Sequence, residues 1–268
     1  MRRGTFAGLV AILSVTIALL LSSASDATAQ QSALERVKKE KVLRVGWATW
    51  HPYVYRDPGS NKLAGFSVDL IDDLGKALDA RVEWIEDSWA TMPAGMQAGK
   101  FDMAILMAIT PPRAQVVSFS EPVTKHGVSL LVAKDMLTTA KSWKDFDKAG
   151  TKISVTLGSN TDMFVTQTFK QAEIVRLKTT PECLLALNTG RVQALASTID
   201  SLLIYAKEYP ALGVVPGDFG QSEVAFALPK DDQQMIQVVN DFVRKEKKNA
   251  RIVQLLQKYG WDNSFAAD

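Results

Sequence analysis

The sequence predicts an α/β fold in which one pattern is built twice, and three observations predict it. Short apolar runs of strand length alternate with helical periodicity over residues 42–107, the same alternation returns over residues 152–209, and two extended apolar segments, 128–133 and 223–228, flank the second set. Two lobes joined by two crossing strands satisfy this pattern, and a single continuous sheet satisfies it equally; periodicity alone leaves both open. At 268 residues, 47% hydrophobic and 22% charged, the chain has room for two cores. In the two-lobed case the paired crossings would serve as a hinge.

Residues 1–29 stand apart from the fold. Arg2 and Arg3 give a positive start, residues 6–21 are apolar, and Ala27-Thr28-Ala29 supplies a small-x-small cleavage pattern, so a secretory signal peptide is expected. A retained membrane anchor is the alternative, but the apolar run is shorter than the ~20 residues a spanning helix needs. The protein is therefore expected outside the cytoplasm, in the periplasm. Residues 33–41 then read as a short charged helix and Val42–Trp47 as a first strand. Trp, Tyr, Pro and Gly mark residues 47–61 as a loop. After Gly65, Phe66, Leu70, Ile71 and Leu74 recur at helical spacing, predicting a helix over 66–78; a strand over 81–86, a helix over 91–98 and a buried strand over 102–107 follow. This β-α-β-α-β order predicts parallel strands with right-handed crossovers.

Beyond the extended segment at 128–133, residues 135–150 are polar and rich in lysine. Strands are then expected at 152–156, 174–177 and 194–197, with helices starting near 160–162 and over 181–189 and 199–209; closing amphipathic helices are expected over 231–246 and 251–259. Cys183 is the only cysteine, so no internal disulfide can form, and its ECLLAL context fits the apolar face of a helix. His51 and His126 without a carboxylate cluster at ligand spacing give no metal signature, and no cofactor is expected. A net charge of +2, with no basic run interleaved with aromatics, implies no nucleic-acid partner.

The most informative stretch is KFDMAILMAITPPRAQVVSFSEPV, residues 100–123. It places Arg113 shortly after a strand end, where ligand crevices of open α/β sheets lie, and a guanidinium there matches a carboxylate with two parallel charge-assisted hydrogen bonds. An arginine on a solvated loop is the plainer reading of Arg113 alone. The stretch resembles the signature of bacterial solute-binding proteins of family 3, the amino-acid type that serves ABC importers. VLRVGW, GFSVDLIDDLGKAL, WATMPAGMQAGKFD, TLGSNT, LALNTGRVQALA and a closing KYGW fall in the same order as in that family.

The resemblance implies the two-lobed periplasmic-binding-protein type II fold, each lobe a mostly parallel sheet flanked by helices, joined by two hinge strands. Residues 30–131 and 225–268 would form lobe 1 and residues 132–224 lobe 2. It also implies a ligand site. Arg113 would hold a carboxylate. The backbone N–H of Ala108 would assist it, without the hydroxyl relatives often carry at that position, and the carbonyl of Leu106 would accept from an ammonium. Across the cleft, Ser159 and Asn160 would add donors at a helix start, although Asn160 reads equally as a plain helix cap. Relatives carry an acidic anchor for the α-ammonium where direct counting here puts Thr198; a two-residue shift would put Asp200 there. If Asp200 faces solvent instead, the site lacks that anchor and the ligand lacks the amino group. Trp50 would cover the ligand, with Trp89 beside it and Trp47 and Tyr53 near in sequence.

The function implied is extracytoplasmic capture of a small carboxylate solute, an amino acid in the first instance, by a monomer that delivers it to an ABC permease in the inner membrane. A secreted arogenate or prephenate dehydratase is the enzymatic alternative; it needs a positioned general acid, and Glu182 and Glu223 are available but sit in no motif that assigns them. A solute sensor acting in trans is the third. The residues carry no nucleophile, phosphate-loop or metal signature, so no enzyme is expected.

Overall fold

The computed structural model describes residues 32–267; the expected signal peptide lies outside the described residues. The chain opens with α1 (Ala33–Glu40), which lays Leu34 and Val37 into the core, and β1 (Val42–Trp47). A two-stranded ribbon follows, β2 (Tyr55–Arg56) and β3 (Leu63–Ala64), then α2 (Phe66–Ala77), β4 (Arg81–Glu86), α3 (Met92–Gln97) and β5 (Met103–Ala108). Next come α4 (Pro111–Val116), β6 (Ser118–Phe119) and the long β7 (Thr124–Ala133). The second half holds β8 (Lys152–Thr156), α5 (Asn160–Thr168), β9 (Glu173–Leu177), α6 (Thr180–Asn188), β10 (Ala194–Thr198), α7 (Ile199–Glu208) and β11 (Leu212–Val214). The chain returns through β12 (Gln221–Leu228) and ends with α8 (Gln233–Lys248) and α9 (Arg251–Lys258).

Hydrogen bonding runs in the order β4-β1-β5-β12-β7-β10-β8-β9. Within each half the strands linked by crossover helices are parallel, β1 with β4 and β5, β8 with β9 and β10. Along this path the two crossing strands, β7 and β12, run antiparallel to their neighbours. β7 pairs with β12 through Thr124–Gly127 and with β10 through Val128–Val132, so one strand serves both sheets.

The apolar side chains divide as the strands do. One core gathers residues from Leu34 to Val123 and from Val224 to Trp261 around β5, whose MAILMA run is buried throughout as a central parallel strand requires. The other half has a cluster on each face of its sheet: Leu130, Val132, Ile153 and Val155 on one, Leu131, Cys183, Leu195 and Leu202 on the other, which is the period-2 alternation of a strand. Cys183 is wholly buried there, and burial pushes its thiol up to about 11. Cores that separate about β7 and β12 make the molecule two-lobed despite its unbroken hydrogen-bonded path.

Several elements differ from the sequence expectation. Residues 47–61, read as loop, carry β2 of the small ribbon, which Gly65 completes: at φ 130° it lies so near Tyr53 that a Cβ would sit 2.3 Å from that residue's carbonyl oxygen. β7 starts at Thr124 rather than 128, because the polar sequence TKHG is held by ladder bonds to β12. The strand read over 102–107 runs from Met103 to Ala108, so Asp102 precedes it; its buried carboxylate accepts from Arg36, from the Arg44 guanidinium at 2.9 Å and from the Arg44 backbone N–H at 2.8 Å. Arg113 sits on a helix, not a loop. Pro111 and Pro112 occupy the first turn of α4, where a missing N–H leaves no intrahelical bond unmade.

Candidate ligand-binding site

The carboxyl ends of β5, β8 and β10 face one another across the junction of the two halves, the place where crevices of open α/β sheets form. About 460 Å3 of space not filled by atoms lies there, solvent at its mouth included. Leu106, Ala108, Arg113, Trp50 and Trp89 line it from the first half, and Ser159, Asn160 and Thr198 from the second. These are eight of the nine residues that sequence and resemblance single out. Asp200 is the ninth, and it does not line the space.

Arg113 is the chemical centre. Its place in the first turn of α4 turns the guanidinium back over the end of β5, where Nη1–H donates to the Ala108 carbonyl at 3.1 Å; Nη2–H crosses to the Gly158 carbonyl at 3.1 Å. The residue is only 6% exposed and, among the described residues, no carboxylate pairs with it. Burial alone lowers its pKa to about 10. It remains charged at neutral pH, and a buried charge held only by two carbonyls is short of an anion.

Opposite, the turn Gly158-Ser159 leads into α5. Ser159 is the N-cap and accepts from the Asp162 N–H at 3.1 Å, while the Asp162 carboxylate accepts from the Gly158 N–H at 3.0 Å and pairs with Arg176. Gly158 has φ +72°, and a Cβ there would lie 2.6 Å from Ala90 Cα in the first half. Asn160 reaches Ser222 on β12, its Nδ2–H donating to the hydroxyl at 3.0 Å.

Trp50 closes the far side. Its Nε1–H donates to Thr198 Oγ1 at 3.3 Å and to Ser201 Oγ at 3.1 Å, bridging the halves, and its ring stacks on Tyr53 at 3.9 Å and meets Trp89 edge-on at 6.0 Å. Trp47 and Tyr53 are core residues that do not line the space. Asp200 points the other way, in neither of the two environments expected of it. It is wholly buried, with Oδ1 3.0 Å from His126 Nδ1, and His126 Nε2 is 2.9 Å from Thr124 Oγ1. Burial, reinforced by Asp200, holds the Tyr53 hydroxyl well above its ordinary value.

Sequence reasoning did not single out Thr156, Thr161, Thr180, Ala196, Ser197 or Val224, which also line the space. Thr156 and residues 196–197 were within reach of it, because they stand at the carboxyl ends of predicted parallel strands. Arg113 is the only ionisable side chain among the described residues that line the space.

Comparison with known proteins agrees with this architecture. Residues 43–262 match the family model of bacterial extracellular solute-binding proteins, family 3. The L-cystine-binding protein TcyJ of Escherichia coli K12 is 26% identical over 256 residues, covering 95% of this chain and 94% of that one. The crystal structure of the ancestral amino acid-binding protein AncCDT-1, a precursor of cyclohexadienyl dehydratase, superposes with a TM-score of 0.80 at 31% identity, covering 85% of this chain and 99% of that one. A solute receptor for L-cysteine of Neisseria gonorrhoeae gives a TM-score of 0.80 at 25% identity, covering 88% and 99%. With a buried, unpaired arginine between two hinged halves and a family match spanning nearly all of the described residues, the chain belongs to the bacterial extracellular solute-binding proteins of family 3.

Proposed function

We propose that the protein captures a small carboxylate-bearing solute between its lobes outside the cytoplasm and delivers it to the permease of an ABC importer. The observation that carries this reading is Arg113, a buried guanidinium facing a cavity and lacking an anion. A carboxylate touching Arg113 on one side and the Ser159 turn on the other favours the closed arrangement by its extra affinity for it. Relatives named for amino acids and cystine make amino acids the first solutes to test. The division of the chain into residues 30–131 and 225–268 as one lobe and 132–224 as the other, a cleaved leader at residues 1–29, a periplasmic location and a monomeric state complete the proposal.

Capture rather than dehydration is supported by where the carboxylates lie. Glu182 is bound into the capping box of α6, and Glu223 is exposed on β12; neither lines the cavity, and among the described residues no acid does, where a leaving hydroxyl would need one. Titration calorimetry across a panel of small carboxylates is expected to find a ligand whose affinity falls at least about 30-fold in Arg113→Ala, the lower end of what losing a buried charge partner costs. Undiminished affinity in that variant rejects the proposal, and turnover of prephenate would replace it with the enzymatic reading.

A further inference from the structure

Among the described residues that line it, the cavity has one charge and it is positive. Every other lining side chain is neutral: apolar, aromatic, an amide, or one of several hydroxyls. Five acids stand within two positions of a lining residue in the chain, and none lines the space: Asp87 pairs with Lys100, Glu182 closes the capping box of α6, and Glu223 is exposed on β12. Asp162 is paired with Arg176 and the Gly158 N–H, and Asp200 is turned toward His126. The carbonyl oxygens of Ala108 and Gly158 accept from Arg113, so a second cation placed against either would meet the guanidinium. Of the aromatic faces, one side of Trp50 is already taken by Tyr53, and a remaining indole face is a weaker partner for a desolvated ammonium than a carboxylate.

Charge balance then selects the ligand. A solute carrying one carboxylate and no cation neutralises Arg113 when the cleft closes; a zwitterionic amino acid leaves one positive charge unbalanced in a desolvated space. Resting on the carboxylate-capture reading above, we propose that the solute of this site is an unaminated small monocarboxylic acid, its other polar groups being neutral oxygens that the hydroxyls of Thr161 and Ser197 can meet. Thr198 is the position that sets the preference. It lines the cavity and is the N-cap of α7, with no side-chain cap bond, so an aspartate there is compatible with the helix and restores the missing negative charge.

Matched pairs test the proposal by titration calorimetry on the purified protein: pyruvate against alanine, 4-methyl-2-oxopentanoate against leucine, 3-phenylpropionate against phenylalanine. For the pair that fits, the unaminated acid is expected to bind at least tenfold more tightly, and Thr198→Asp is expected to reverse that order. Equal or tighter binding of the amino acid by the unaltered protein, lost in Arg113→Ala, overturns this inference while leaving carboxylate capture standing. Binding of neither member of any pair by a protein that melts cooperatively overturns both. A folded Thr198→Asp protein that gains no affinity for the amino acid also counts against the inference; if that variant does not fold, the comparison within the unaltered protein decides.

Discussion

The Nη2–H of Arg113 donates to the carbonyl of Gly158 at 3.1 Å, joining the first turn of α4 to the turn before α5 across the cleft. The contact ties the Arg113 charge to the other half of the molecule, and both its ends can be perturbed separately.

Gly158→Ala perturbs one end without touching the charge. The new Cβ would fall 2.6 Å from Ala90 Cα, and the left-handed φ of +72° adds strain of about 1–2 kcal/mol. Opening the cleft relieves the clash. Ligand affinity is expected to fall tenfold or more, with small-angle scattering showing a more open molecule at saturating ligand; an unchanged affinity would show that closure does not bring these residues together.

Asp200→Ala separates support from recognition. It removes the hydrogen-bond partner of a fully buried His126, and leaving a buried polar group unsatisfied costs about 1–3 kcal/mol, a fall in melting temperature of roughly 5 °C in a chain of this size. Because Asp200 does not line the cavity, affinity is expected to stay within about threefold. A large loss of affinity with little change in melting would instead make Asp200 a ligand contact.

The pH dependence of binding follows from Arg113. In the free protein burial lowers its pKa to about 10, and pairing with a carboxylate raises it again, so the complex holds a proton that the free protein releases above that value. Affinity is expected to be level from pH 7 to 9 and to decline above about 10, read by quenching of tryptophan fluorescence where circular dichroism shows the fold intact. A decline beginning near pH 7 would point to another group.

How much of this was legible in the sequence depends on the range of the interactions involved. β1, β4 and β8 match their predicted bounds because β1 and β8 are short runs rich in apolar or β-branched residues and β4 alternates charged and apolar residues, each between turn residues. The first half of β7 was hidden because Thr124, Lys125, His126 and Gly127 have no apolar alternation; their pairing is supplied by residues nearly a hundred positions later. α4 was hidden by its prolines, which mark a breaker in the middle of a helix and a favourable start at its first turn. Motif order carried most of the cavity residues. Asp200 escaped because counting along a helix gives its offset from Thr198 and says nothing of His126, 74 positions away.

β7 and β12 are bonded to each other over four residue pairs and carry both halves. A two-ply ribbon bends and twists readily, whereas sliding its plies would sever the backbone ladder. On the capture reading proposed above, occupancy would be funnelled into a single rotation, and a membrane-embedded receiver would have only to gauge the spacing of two rigid surfaces to tell a loaded carrier from an empty one.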